Sequence, residues 1–168
     1  MSDPGRAPGT GDAIGAIADF APDGVEAGVG LALQDAAGRY LFFLAGTRHR
    51  CPPQTLFYAG IGGHREAGED WLACARREAR EELGAAIAIL PASATWLVGR
   101  DGSIRRVRVR DQPHPLALYT MIHPPGTPRA GEPYRLVIYR ARLHAAPARL
   151  PPDELLGVIA LTAEQVRR

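Results

Sequence analysis

Between Gly63 and Ala85 the chain reads GHREAGEDWLACARREAREELGA: a glycine, a glutamate after five residues, and Arg-Glu-Ala-Arg-Glu-Glu-Leu-Gly after seven more. From Asp70 to Leu83 neither proline nor glycine interrupts the run, alanine is frequent, and Gly84 follows as a stop, which predicts one helix. At about 100° per residue, Leu72, Ala75, Ala79 and Leu83 form an apolar stripe facing a core. Glu78, Glu81 and Glu82 stand at i, i+3 and i+4, so their carboxylates converge on an adjoining face.

That arrangement is unfavourable for an isolated helix. Glu78 and Glu82 repel at i,i+4 by a few tenths of a kcal/mol. All three acids sit in the last two turns, where the macrodipole favours cations by roughly 0.3–1 kcal/mol each when exposed. Arg76 and Arg77 precede them, which is also the wrong order. A divalent cation reverses the sign of each of these effects, and hard oxygen ligands suit Mg²⁺ or Mn²⁺. The alternative is a solvated acidic helix end in which Arg77 pairs with Glu81 at i,i+4. The preceding segment bears on the choice: Gly60, Gly62, Gly63 and Gly68 lie within Phe57–Glu69, and glycine lets backbone approach a ligand closely. Such a loop alone is a weak signal, since turns need glycine too; joined to the helix acids at fixed spacing it favours a phosphate loop and a cation.

The stretch resembles the signature box of the Nudix hydrolases, metal-dependent enzymes that cut pyrophosphate bonds in nucleoside diphosphates linked to a second group. The resemblance implies that Glu78 and Glu82 are metal ligands, with Glu81 a ligand directly or through water. Glu69 and Arg77 match the family's salt bridge between loop and helix, while Gly63 and Gly84 match the glycines that open the loop and close the helix. Two departures are visible: Ile61-Gly62-Gly63 replaces the usual Pro-Gly-Gly, and Ala85 stands where a larger aliphatic residue is common. Neither removes a ligand.

A length of 168 residues with 46% hydrophobic content suits one domain with a full core. No apolar run approaches about 18 residues and no leader pattern opens the chain, so a cytoplasmic protein with no membrane partner is expected. A net charge of +2 demands no nucleic-acid partner. Every basic residue counted as Lys or Arg is arginine and asparagine is absent; with abundant Ala, Gly and Pro this reads as GC-rich codon usage, not phosphate recognition. Cys51 and Cys74 form neither a disulfide framework nor metal-ligand spacing. Cys74, on the box helix, reads as a buried small hydrophobe.

Residues 1–24 are read as a flexible N-terminal segment, with Asp12 capping a short helix that carries Ala13, Ile14, Ile17 and Ala18; the domain spans 25–168. Val29–Gln34 and Arg39–Ala45 flank Asp35-Ala36-Ala37-Gly38 as a hairpin. Further strands are expected at Leu56–Ala59, Ala86–Leu90, Thr95–Val98, Ile104–Val109, Leu116–Ile122, Tyr134–Leu143 and Gly157–Leu161, with a capping box at Thr162–Gln165. A hairpin followed by a loop–helix unit, in a chain richer in strands than helices, predicts an α/β (α+β sandwich) fold. The resemblance sharpens this to the Nudix fold, a curved mixed sheet between helices. Family members usually end in a longer helix on the second sheet face, so Asp12–Phe20 or a partner subunit is expected to cover that face here.

Beyond the box, Arg48 falls where the family often places a phosphate-contacting base; His49 and Arg50 follow it. His64 either reaches a phosphate or is a loop residue. His114, His123 and His144 read as structural or exposed. Arg106, Arg108 and Arg110 form a basic row that fits the solvated face of an edge strand better than a phosphate site. In Pro152-Asp153-Glu154-Leu155-Leu156, Glu154 and then Asp153 match the place of a family acid that binds a second metal or acts as general base. The expected activity is a Mg²⁺-dependent pyrophosphohydrolase, with Mn²⁺ a substitute. Gly62, Gly63 and Arg48 would hold phosphate, and Glu81, Glu69 or Glu154 would take a proton from water. The rival is a nucleotide sensor of the same fold that cleaves nothing; an isopentenyl diphosphate isomerase is disfavoured by the matched box. Asp101, Gly102 and Ser103 stand where substrate-specific subfamilies carry other residues, so the substrate is left open. Trp96, Tyr119 and Tyr134 either stack on a base or belong to the core. A homodimer is a further expectation from the resemblance.

Overall fold

A computed structural model describes residues 15–47, 58–123, 129–148 and 150–167. A short helix, α1 (Ile17–Phe20), precedes strands β1 (Ala27–Gln34), β2 (Tyr40–Ala45) and β3 (Tyr58–Ala59). The long helix α2 (Trp71–Leu83) follows, then β4 (Ile87–Leu90), β5 (Thr95–Val98), β6 (Ile104–Val107), β7 (Ala117–Ile122), β8 (Pro133–Leu143), β9 (Leu155–Leu161) and α3 (Ala163–Val166). The strands form one mixed sheet in the order β3-β2-β1-β8-β7-β5-β6, with β4 paired to β8 and β9 to β2. The α+β reading is thus met by a mixed sheet with few helices.

The central pairing is parallel. β1 runs beside β8 from Ala27↔Arg135 to Gln34↔Arg142, so the two strand starts lie side by side. β7 returns antiparallel to β8 and ends at Ile122↔Pro133, which delivers His123 to the same corner. The expected hairpin forms but splays beyond its turn. Its turn forms as read, with Gly38 at positive φ and the Asp35 carboxylate accepting from the Arg39 amide at 2.9 Å. Beyond Gln34↔Tyr40, however, no further β1–β2 pairs form among the described residues. β2 instead pairs along its length with β9 and, at Phe43 and Leu44, with β3. The chain after β3 crosses to β1, bridging at Leu31↔Ile61 and Gly28↔His64. The splayed hairpin is what admits the glycine loop beside β1.

Alternation on the strands decides the core. Val29, Leu33, Val137, Tyr139, Ala141 and Leu118 point to one face and are buried against Cys74, Ala75, Ala79 and Leu83 of α2. Ile17 and Phe20 of α1 join this same cluster. The expectation that the N-terminal segment covers the second face is therefore corrected: α1 packs on the side of α2. It is held there by Asp111, whose carboxylate accepts from the Ile17 amide at 2.8 Å, while the Gly15 carbonyl accepts from Arg110. The proposed Asp12 cap lies outside the described residues. On the second face Tyr119, Met121, Leu136 and Ile138 are half-buried. Arg106 and Arg108 are exposed and Val107 and Val109 buried, as the alternation requires, although β6 itself ends at Val107 and Arg105, on the Val107 side, is exposed. No helix among the described residues is long and apolar enough to cross a membrane.

Candidate active site

The acid-bearing helix is capped at both ends by its own sequence. Asp70 accepts from the Leu72 and Ala73 amides, and Gly84 adopts the left-handed conformation that closes the last turn. Within α2 the small residues Cys74, Ala75 and Ala79 let the helix sit close to the sheet, and Glu78 is carried inside with them at 8% exposure. The loop then passes directly over that carboxylate. A Cβ at Gly63 would collide with both Glu78 oxygens, and one at Gly62, where φ is +142°, would collide with the Val29 carbonyl. Only glycine permits this approach.

The other acids are tied to the same loop. Glu82 Oε2 accepts from the Gly62 amide at 3.0 Å. Arg77 is the hub: its Nε and Nη2 hold both oxygens of Glu69 at 2.9 and 3.0 Å, and Nη1 reaches Glu78 at 2.7 Å and Glu81 at 3.1 Å. Nη2 also donates to the His64 carbonyl at 2.9 Å. Both readings of Arg77, the loop–helix tie to Glu69 and the i,i+4 pair with Glu81, are therefore realised by one guanidinium. Those hydrogen bonds outweigh burial and hold the Glu69 carboxyl at about 2, while the same pairing, with Glu69 foremost, raises Arg77. Cys74 is fully buried, and burial first, then the Glu69 charge, pushes its thiol up to about 12. Its burial agrees with the small-hydrophobe reading.

Hard carboxylate oxygens, one buried beneath a glycine and one fixed to the adjacent amide, suit a divalent cation that completes its shell with water and phosphate oxygens. Among the described residues no three histidine, cysteine or carboxylate side chains converge closely enough to hold an ion by themselves. Arg77 supplies the positive charge between Glu78 and Glu81 instead. The residues fit the cation, provided Arg77 yields part of its grip.

Glu154 precedes β9, where its carbonyl accepts from the Gly46 amide at 2.7 Å and its backbone packs so tightly that Gly46 has no room for a Cβ. That places Glu154 against Gly46, the residue that follows β2. Arg48, His49, Arg50 and Cys51 lie outside the described residues. His64 belongs to a network with residues not anticipated as a group. Glu26 accepts from or pairs with His64 Nε2 at 2.8 Å, His123 Nε2 at 3.4 Å and Arg129. Burial opposes its charge, but Arg129, His64 and His123 together hold the carboxyl below its ordinary range. Tyr134 lies between the two imidazoles, with centroid distances of 4.8 and 5.4 Å. Its buried hydroxyl has no hydrogen-bond partner among the described residues. The only local hint was His64 itself, adjoining the glycine pair.

A carboxylate-bearing helix under a glycine-lined loop, set on a mixed sheet, defines a class of enzymes that handle phosphoanhydrides. The chain belongs to the Nudix family: residues 25–168 match the family model of the NUDIX domain. It is accordingly a hydrolase of pyrophosphate bonds in nucleoside diphosphate derivatives, in a family that generally requires divalent cations. Solved structures agree on the fold. A MutT protein from Methanosarcina mazei Go1 superposes with a TM-score of 0.55 at 12% identity, over 84% of this chain and 80% of that one. A NUDIX hydrolase from Nitrosomonas europaea gives 0.52 at 16%, over 85% and 76%. An Ap4A hydrolase from C. elegans gives 0.50 at 19%, over 84% and 83%. Comparison with curated proteins returned no match.

Proposed function

We propose that this chain is a Mg²⁺-dependent pyrophosphohydrolase acting on a nucleoside diphosphate linked to another moiety, such as a second nucleotide or a sugar, in the cytoplasm. One observation carries the reading: the Glu78 carboxylate lies buried directly beneath Gly63 while Glu82 holds the Gly62 amide, so acids and phosphate loop are one unit. A divalent cation bound there supplies positive charge to phosphate oxygens and lowers the pKa of water. Glu78 and Glu82 would hold it, with Glu81 a third ligand or the proton acceptor. Gly62 and Gly63 bring the loop backbone down onto Val29 and Glu78, so a diphosphate on the cation would lie alongside the loop. Arg77, already within reach of Glu78 and Glu81, keeps both carboxylates oriented.

Among the candidate bases, Glu69 is the least suited. Both its oxygens are engaged by Arg77, one also accepts the Glu66 amide at 3.0 Å, and its proton affinity is suppressed. Glu81, whose side chain is 59% exposed and which meets Arg77 at the longer distance of 3.1 Å, is the better proton acceptor, with Glu154 the alternative.

The test is product release from a panel of nucleoside diphosphate derivatives with Mg²⁺. Glu82→Gln should lower metal-stimulated turnover by about 100-fold or more with the fold intact; full activity in that variant would refute the ligand assignment. The sensor reading draws on the grip of Arg77 over Glu78 and Glu81, which neutralises acids that a hydrolase needs. Saturable nucleotide binding without product across the whole panel would favour it.

A further inference from the structure

We propose that His64 is the stacking platform for the planar base of the nucleotide substrate, and that Glu26 is the positioning residue that holds its ring in place. The proposal rests on the nucleotide reading above and adds the group that recognises the nucleoside half.

His64 directly follows Gly63, so its Cα lies about 3.8 Å from that of the phosphate-loop glycine. Its backbone is fixed by the bridge to Gly28 and by the Arg77 bond to its carbonyl. Its ring is fixed by Glu26 at one nitrogen and by Tyr134 behind one face. Yet the side chain is 65% exposed, which leaves ring surface open beside the loop. An exposed imidazole held from both directions has its conformational entropy removed before any ligand arrives.

The surroundings are costly to build for packing alone. The Glu26 side chain is only 16% exposed, and a carboxylate so placed is tolerable only when its lone pairs are filled. Here His64, His123 and Arg129 fill them. The chain carries this network at the mouth of the loop, where apolar side chains would have closed the corner more simply. From Glu26 and Arg129 a cleft of about 420 Å³ opens along residues 21–27 and past Arg65 and Gly68. The cleft shares Glu26 and Arg129 with the His64 network without being lined by His64 itself. A base resting on His64 would have its phosphates at the adjoining Gly62–Gly63.

A cationic His64 that gripped phosphate would show the opposite chemistry from a stacking one, and phenylalanine separates the two. The experiment is calorimetric binding of AMP, GMP, CMP and UMP, and of ribose 5-phosphate, to the full chain with Mg²⁺. The preferred nucleoside monophosphate should bind about 10-fold more tightly than ribose 5-phosphate, the scale of one base–aromatic stack. His64→Ala should erase that ratio and His64→Phe should keep it within about 3-fold. Glu26→Gln should raise KM for the nucleotide substrate with kcat unchanged and little change in Tm, which a merely structural role would not do. Wild type binding all five ligands equally, or His64→Phe failing as badly as His64→Ala, would overturn the proposal. Because binding of monophosphates is read apart from turnover, base discrimination without hydrolysis would sink the hydrolase reading alone. Hydrolysis with an unaltered ratio in His64→Ala would sink this one alone.

Discussion

The glycine loop separates two charge clusters of opposite construction. On the α2 side one arginine, Arg77, gathers the carboxylates Glu69, Glu78 and Glu81. On the β1 side one carboxylate, Glu26, gathers His64, His123 and Arg129. The first is assembled almost wholly from residues 64–82 and packed beneath the loop. The second joins residues as much as 103 positions apart, from Glu26 to Arg129, and opens to solvent. A hub that is local in sequence is fixed by the one loop and helix that carry it, whereas a hub joined across distant strands depends on the sheet register and on two partners, His64 and Arg129, that are largely solvated.

The largest test of that contrast is Arg77→Ala. It strips the pair from a buried Glu78 and should cost about 3 kcal/mol of stability, read as urea or thermal unfolding. A cost below about 1 kcal/mol would show that the α2 hub is no more structural than an exposed pair. Next comes Gly63→Ala, which drives a methyl group into the Glu78 carboxylate and should lower stability by about 1–3 kcal/mol and turnover more steeply still. Gly28→Ala meets the Tyr134 hydroxyl and the Gly63 carbonyl on the other side, and should cost similar stability. If turnover fell equally in both, the two sides of the loop would not be distinct in function.

The pH dependence sharpens the comparison further. Glu69 is held at about 2 in the folded chain against an ordinary 4.5. Its contribution to stability is thus complete above about pH 4.5 and is lost as pH falls toward 2. Acid unfolding followed by circular dichroism should therefore be shallower in Glu69→Gln than in wild type over that window. Parallel curves would mean that Arg77 does not hold Glu69 in solution. The smallest effect is expected for Glu26→Gln, at about 1 kcal/mol, because its partners His64 and Arg129 are largely solvated and glutamine keeps one hydrogen bond. A loss matching that of Arg77→Ala would make the β1 hub a structural element.

What was legible in the sequence follows the same division. Glu69, Arg77, Glu78, Glu81 and Glu82, the Asp70 cap and the Gly84 stop lie in one loop and helix, where a period of 3.6 converts spacing into geometry. The Glu69–Arg77 tie is as direct in the structure as the resemblance implied. Glu26, His123 and Arg129 were not legible as a group. Their meeting depends on the parallel β1–β8 pairing, which puts Glu26 beside Arg135, and on β7 ending at Ile122↔Pro133. No local pattern encodes either register. The splayed hairpin was hidden for a related reason: the turn chemistry of Asp35 and Gly38 fixes the reversal but not how far the strands stay together. α1 went to the α2 side because Ile17 and Phe20 find Val107, Val109 and Leu118 there, residues that only the sheet order brings near.

The most direct measurement of the central claim is a Mn²⁺ titration followed by electron paramagnetic resonance, on the full chain and on Glu82→Gln, with and without a nonhydrolysable nucleoside diphosphate analogue. The wild type should bind Mn²⁺ saturably and more tightly with the diphosphate present, and Glu82→Gln should lose most of that binding. Mn²⁺ that fails to bind the wild type under either condition, or binds both proteins alike, would contradict a cation site beneath Gly62 and Gly63.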